Sequence, residues 1–135
     1  MITADLHILI AEDELSHAVA LRRMLEKQLP HARIEVVDSI REYSKRVAVS
    51  APTIALLDLN LVDGCTLDML KASAAPPVFP VVMMSSSASR QVAEDAVKAG
   101  AMSFIIKSPD VFLSIAEIVE KTVGEWEQRQ EKCGT

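Results

Sequence analysis

Four short apolar runs, each followed directly by a polar residue, most strongly constrain the fold of this chain. Runs this short and this apolar are typical of strands that are buried on both faces of a parallel sheet. Open parallel sheets bind ligands at the carboxyl ends of their strands, so we expect the polar residues to meet there. The runs and the residues that follow them are 7–11 with Glu12 and Asp13, 54–57 with Asp58, 81–84 with Ser85, and 104–106 with Lys107.

Segments with helical spacing of apolar residues separate the strands, and one further strand, at 32–37, alternates polar and apolar residues like an edge strand. Five strand–helix units imply right-handed crossovers and helices on both faces of the sheet. The sequence therefore predicts an α/β, doubly wound (βα)5 fold. It has a five-stranded parallel sheet of order 2-1-3-4-5, the flavodoxin-like arrangement. The predicted helices span 14–29, 39–49, 66–74, 87–99, and 110 to beyond Trp126.

Composition excludes several classes of protein. The 135 residues fit one domain, and a net charge of -5 without a basic stripe argues against nucleic-acid binding. The N-terminal residues lack a basic segment, and the apolar run after them is too short for a signal peptide or a membrane span. Cys65 and Cys133 fit neither a metal cage nor a disulfide framework, and the three histidines have no metal-binding spacing. We therefore expect a cytoplasmic protein without a membrane partner.

The carboxylates of Glu12, Asp13 and Asp58 are predicted to share one small cleft. Each pair would repel by roughly 3 kcal/mol at about 5 Å with an effective dielectric near 20, so the cluster needs a cation. Oxygen ligands of this kind suit Mg²⁺. Asp58 is the central candidate for a nucleophile that forms an acyl phosphate, while Lys107 would supply a positive charge and Ser85 a hydroxyl donor.

Two other interpretations stay open from the residues alone. In a purely structural one, Lys107 is an edge residue whose amine reaches solvent, Ser85 caps a strand end and Asp58 starts a turn. In the other, the chain is a Mg²⁺-dependent phosphohydrolase with an aspartate nucleophile. That chemistry needs a second acid/base carboxylate two positions on, where this chain has Asn60.

The sequence resembles the receiver domain of two-component response regulators, the CheY-like family, over about residues 6–122. Together the matching stretches are highly specific, although each is weak alone. They lie at 8–14, 56–61, 80–86 and 100–107.

The resemblance implies a role for each candidate residue. Asp58 would be the phosphoacceptor, Asp13 a direct Mg²⁺ ligand, Glu12 a ligand through water, and Asn60 a metal ligand through its backbone carbonyl. Ser85 and Lys107 would bind the phosphoryl group, and Phe104 would be the aromatic residue that changes rotamer when Ser85 moves.

Several positions depart from the family pattern. Val62 stands where a proline is usual, and Thr66 where a glycine often starts the third helix, which alters loop stiffness more than chemistry. Ser108 replaces the proline that normally follows the lysine, and Pro109 comes one residue late. Because a cis bond before a non-proline residue costs about 2.5–4 kcal/mol, we predict a trans bond between Lys107 and Ser108.

These observations predict a signalling switch and not a turnover enzyme. A histidine kinase or phosphotransfer protein would phosphorylate Asp58. Residues 1–123 would form the receiver, and 124–135 would form an extension of the last helix and a tail. The output would pass to a partner or to an output domain outside this sequence. The output face would be formed by the fourth helix, the fifth strand and the fifth helix, and this face and the last helix would support a homodimer. The alternatives are a fragment of a longer multidomain signalling protein and a degenerate receiver used only for docking.

Overall fold

A computed structural model describes residues 5–87 and 89–134 of the chain. In the part of the chain that it describes, helices separate the five longer strands from one another, as the sequence predicts. In chain order they are β1 (His7–Ala11), α1 (Leu15–Gln28), β2 (Arg33–Val37), α2 (Ile40–Val49), β3 (Ile54–Asp58), β4 (Asn60–Leu61), β5 (Gly64–Cys65), α3 (Thr66–Ala72), β6 (Val81–Ser85), α4 (Arg90–Lys98), β7 (Ser103–Ile106), α5 (Pro109–Leu113) and α6 (Ile115–Gly134).

Five of the strands form one parallel sheet in the order β2-β1-β3-β6-β7. The predicted order 2-1-3-4-5 is confirmed, because β4 and β5 are two-residue strands that pair only with each other, antiparallel. The order places β1 beside β3, and the crossovers that follow β1 and β3 leave in opposite directions from there, to β2 and β6. In doubly wound sheets the ligand crevice opens at that point.

The sheet separates two apolar cores. On one face, Ile8 and Ile10 pack with α1 and α6; on the other, Leu9 and Ala11 pack with α2, α3 and α4. Residues 8–11 of β1 therefore point alternately to opposite faces and are all buried, as expected of a central parallel strand. Each fully buried Leu or Ile side chain contributes about 1.5–3 kcal/mol relative to exposure. The sheet is thus a rigid base for the residues at its carboxyl edge.

The last helix departs from its prediction. We expected one helix from near Asp110, but two helices form, because Ser114 leaves the helical conformation at φ -98° and ψ 6°. Ser108 caps α5 by accepting a hydrogen bond from the Val111 N–H, at 3.1 Å, and Pro109 occupies the first turn. The serine and the displaced proline therefore create a short capped helix directly after Lys107.

Other sequence predictions concern details of the backbone. Ser39 is the N-cap of α2, since its hydroxyl accepts a hydrogen bond from the Glu42 N–H at 3.1 Å. All peptide bonds of the described residues are trans, including Lys107–Ser108, as predicted.

Cys65 is a half-buried free thiol, and the side chain of Cys133 lies outside the described residues. In the ranges that the structure covers, no helix combines the length and apolar character needed to cross a membrane.

Candidate functional site

The predicted site residues meet at the carboxyl edge of the sheet. Glu12 and Asp13 follow β1, Asp58 ends β3, Ser85 ends β6 and Lys107 follows β7. Backbone hydrogen bonds to the neighbouring strands fix the positions of Glu12 and Lys107. The Glu12 N–H donates to the Val37 carbonyl at 2.9 Å, and the Lys107 N–H donates to the Ser85 carbonyl at 2.8 Å. Pairing of the strands thus brings together residues that lie far apart in the sequence.

Three carboxylates form the acidic part of the site. Glu12, Asp13 and Asp58 each offer an oxygen, and these oxygens lie within 4.8 Å of one another. Glu12 and Asp58 are buried, whereas Asp13 is exposed, so the cluster opens to solvent on the Asp13 side. The second carboxylate oxygen of Glu12 accepts a hydrogen bond from the Glu14 N–H at 3.2 Å, which orients its side chain.

Lys107 is the cationic part of the site, with a side chain that is only 5% exposed. Its Nζ lies 2.5 Å from Glu12 Oε1 and 3.0 Å from Asp58 Oδ1. Burial alone would lower the pKa of Lys107, but its hydrogen bonds to Glu12 and Asp58 and the charges of both carboxylates raise the pKa overall. The amine is therefore a cation held between two buried carboxylates.

The charge of Lys107 does not fully compensate the acidic cluster. Burial and the nearby charge of Glu12 raise the pKa of Asp58, and the hydrogen bond from Lys107 opposes that rise without reversing it. A further cation beside the three carboxylates would favour the charged form of Asp58. The donor set consists of hard carboxylate oxygens, one of them open to solvent, which fits the preference of Mg²⁺ for oxygen ligands and retained water.

Ser85 is at the site but its hydroxyl is engaged within its own loop. The Ser85 Oγ donates to the Ser87 carbonyl at 2.6 Å. A phosphoryl oxygen at Asp58 would have to replace that carbonyl as the acceptor. Binding by Ser85 would therefore be coupled to rearrangement of the segment between β6 and α4.

Asn60 and Phe104 lie beside the site on neighbouring elements. Asn60 is exposed in β4, two residues beyond Asp58, and pairs with Cys65 in β5. Phe104 lies on β7 in register with Met83, and its half-buried side chain packs against the core that α2, α3 and α4 cover. The structure therefore places Asn60 in the loop that borders the carboxylates and Phe104 on the side of the sheet that faces α4.

A family model for the response regulator receiver domain matches residues 8–118 of the chain. The chain belongs to this family. As a receiver domain it is 28% identical over 130 residues to the methanogenesis regulatory protein FilR1 of Methanothrix harundinacea (strain 6Ac), covering 93% of this chain and 29% of FilR1. It is 26% identical over 120 residues to the transcriptional regulatory protein ZraR of Escherichia coli (strain K12), covering 88% of this chain and 26% of ZraR. The receiver domain thus spans less than a third of either relative.

Solved structures share the fold of this receiver domain. A CheY-like receiver domain protein from Methanospirillum hungatei JF-1 is 22% identical, with a TM-score of 0.80, over 93% of this chain and 98% of that one. The Mn²⁺-bound form of the response regulator Rcp1 is 18% identical, with a TM-score of 0.73, over 83% and 90% of the two chains. At these identities the likeness shows the fold.

His17 is a site residue that the sequence did not reveal, since we assigned no role to any histidine. In this receiver domain its Nδ1 lies 3.3 Å from Lys107 Nζ and 3.1 Å from Glu14 Oε2. Its ring meets that of Phe112 edge to face, with centroids 5.6 Å apart. The position of His17 in the sequence could have identified it. It lies in the first turn of α1, three residues after Glu14, and the first turn of a helix that follows a central parallel strand faces the crevice.

Proposed function

We propose that this receiver domain accepts a phosphoryl group on Asp58 from a histidine kinase or phosphotransfer protein, with Mg²⁺ bound by the acidic cluster. The observation that carries the proposal is Lys107, which is buried between Glu12 and the acceptor carboxylate of Asp58. This arrangement positions a cation beside the carboxylate that would receive the phosphoryl group, where it could stabilise the negative charge on the phosphoryl oxygens.

The reaction would be a transfer of a phosphoryl group from a nitrogen to an oxygen. A carboxylate oxygen of Asp58 attacks phosphorus, the P–N bond of the phosphohistidine breaks, and the imidazole nitrogen keeps the electron pair and takes up a proton. The product is an acyl phosphate on Asp58. Lys107 would then move from Asp58 Oδ1 to a phosphoryl oxygen, which keeps the ammonium paired after the carboxylate has lost its charge.

The metal would be held by Glu12, Asp13 and Asp58, with the Asn60 backbone carbonyl as a further oxygen ligand. When bound, it would neutralise charge on the transferred phosphoryl group. The donor chemistry supports this assignment, and so does the Mn²⁺-bound form of Rcp1, which shares the fold. The exposed side of Asp13 leaves room for the waters that Mg²⁺ retains.

The output would follow from the exchange of acceptors at Ser85. Ser85 would release the Ser87 carbonyl and donate to the phosphoryl group, and Phe104 would repack against the shifted segment before α4. Phosphorylation would thus bias an equilibrium between two arrangements of the output face, which α4, β7 and α6 form. We infer that this face acts on an output partner or a further domain.

A protein donor would dock beside the site on α1 and α5, each of which exposes a leucine. Leu15 is 77% exposed in the first turn of α1, and Leu113 is 60% exposed at the end of α5, and the two helices are in contact. We expect Leu15→Asp to slow transfer from a phosphotransfer protein without slowing labelling by acetyl phosphate. Val49→Asp, at an exposed position on α2, is the matched control; equal slowing by both variants would contradict the docking surface.

One experiment separates the proposed switch from its alternatives. The chain is incubated with acetyl phosphate and Mg²⁺, and both the mass of the intact protein and the release of orthophosphate are followed. A switch gains one phosphoryl group and loses it slowly, whereas a phosphohydrolase releases many equivalents without retaining one. A docking-only receiver gains none, which would overturn the proposal.

A further inference from the structure

Thr66, the first residue of α3, connects that helix to the backbone of the acceptor aspartate. Its side chain is almost completely buried, with the residue 1% exposed. The Thr66 Oγ1 lies 2.9 Å from the Asp58 carbonyl and 3.2 Å from the Leu59 carbonyl, and the Thr66 N–H donates to the Leu59 carbonyl at 2.8 Å. Because a hydroxyl has one proton, the carbonyls of Asp58 and Leu59 share a single hydrogen-bond donor.

These bonds close the loop that carries the candidate metal-ligating carbonyl. Between Asp58 and Thr66 the chain turns back on itself, with Asn60 opposite Cys65 and Leu61 opposite Gly64. Thr66 therefore fixes the base of the loop at the point where the backbone leaves Asp58 for Asn60. A rotation of either carbonyl would turn the peptide planes on the path to Asn60.

The far end of the loop is held independently. The Asp63 carboxylate accepts hydrogen bonds from the Ile40 N–H at 2.8 Å and the Arg41 N–H at 3.0 Å, which attaches the tip to the start of α2. Loss of the Thr66 hydroxyl would leave that attachment intact. Its effect should thus be confined to the base of the loop, beside Asp58.

We infer that Thr66 is a positioning residue that orients the Asp58 carboxylate and the Asn60 carbonyl for the metal before it binds. The inference rests on the proposed function. A neutral hydrogen bond of this kind corresponds to about a threefold to tenfold change in an equilibrium constant. We expect the Kd for Mg²⁺ to rise by about that factor when the hydroxyl is removed, because the loop must then be ordered on binding.

The test compares Thr66→Val, which keeps the shape of the side chain, with Thr66→Ser, which keeps the hydroxyl. Titration calorimetry gives the Kd for Mg²⁺, and amide exchange in metal-free protein gives the protection of the Thr66 N–H. Thr66→Val should weaken Mg²⁺ binding and speed that exchange, and Thr66→Ser should restore both to within about twofold of the parent. Thr122→Val, at a buried threonine of α6, is the control for loss of a core hydroxyl.

The outcomes are distinct from those that test phosphorylation. A Thr66→Val variant that binds Mg²⁺ as the parent does, while melting at a lower temperature, would show a structural role alone and overturn the inference. If Thr66→Val does not fold, Thr66→Ala takes its place with the same two readouts. A parent that binds Mg²⁺ but gains no phosphoryl group would contradict the proposed function and leave the comparison of Mg²⁺ affinities valid.

Discussion

At the scale of single residues, Lys107 contacts three other residues of the site. The amine is ion-paired with the carboxylates of Glu12 and Asp58, and it lies 3.3 Å from His17 Nδ1. The sequence predicted Lys107 and the carboxylates because each directly follows an apolar strand. It did not predict His17, because a lone histidine on a helix gives no spacing that identifies a site.

Removal of Lys107 should destabilise the metal-free protein. Lys107→Ala would leave the buried carboxylates of Glu12 and Asp58 without their counterion, at an expected cost of about 3–5 kcal/mol. Urea unfolding measures the loss. The matched control is Lys71→Ala, since Lys71 is half exposed and lies 3.9 Å from Asp95, where a change of less than about 1 kcal/mol is expected. Equal losses in the two variants would contradict the ion pairs described here.

Asp58 should reduce the stability of the metal-free protein at neutral pH. Because its folded-state pKa is raised, the folded state binds the Asp58 proton more tightly than the unfolded state, so stability falls as pH rises through that range. Asp58→Asn should therefore melt higher at pH 7, by roughly 3 °C for each kcal/mol gained. The difference should vanish at a pH below the usual aspartate range, and a variant that melts lower at pH 7 would refute this explanation.

At the scale of helices and strands, hydrophobic patterning predicted most of what positions the site. The short apolar runs predicted the central strands, and the alternation of polar and apolar residues at 32–37 predicted the edge strand. The predicted strand order was based on these two assignments. The break at Ser114 was not predicted, because α5 and α6 share one continuous apolar pattern and the interruption depends on backbone geometry. The β4–β5 pair was not predicted either, because a strand of two residues is too short to show an alternation of polar and apolar residues.

The segment between β6 and α4 is the element that should transmit phosphorylation. Ser85→Ala removes the hydroxyl that now donates to the Ser87 carbonyl, so labelling of Asp58 should continue while the response at Phe104 is lost. Backbone amide shifts over residues 89–106, measured with and without beryllium fluoride, report the change. Ser44→Ala, at an exposed position on α2, is the control; shifts in Ser85→Ala that match the parent would rule out the coupling role.

At the scale of the whole molecule, α6 continues beyond the residues that the family model matches. Trp126 is half-buried, and Arg129 Nη1 lies 3.3 Å from Met102 Sδ, so this part of the helix contacts its own domain. The boundary at residue 123 remains a prediction, because the family match ends at residue 118 and the helix continues to Gly134. A homodimer through α6 and the output face likewise remains a proposal.

Truncation after Val123 tests that proposal. It removes Trp126 and the polar end of α6, so phosphorylation of Asp58 should continue while self-association weakens, as measured by light scattering with and without beryllium fluoride. The full chain measured over the same concentrations is the reference. If both chains are monomers at every concentration in both states, pairing through α6 is excluded.

The most direct test of the central claim locates the phosphoryl group. After incubation with acetyl phosphate and Mg²⁺, intact mass should show one added phosphoryl group on the parent and on Asp68→Asn, an exposed aspartate of α3 that serves as the control. Asp58→Asn should gain none, and withdrawal of Mg²⁺ should suppress labelling of the parent. A phosphoryl group on the Asp58→Asn variant would show that Asp58 is not the acceptor.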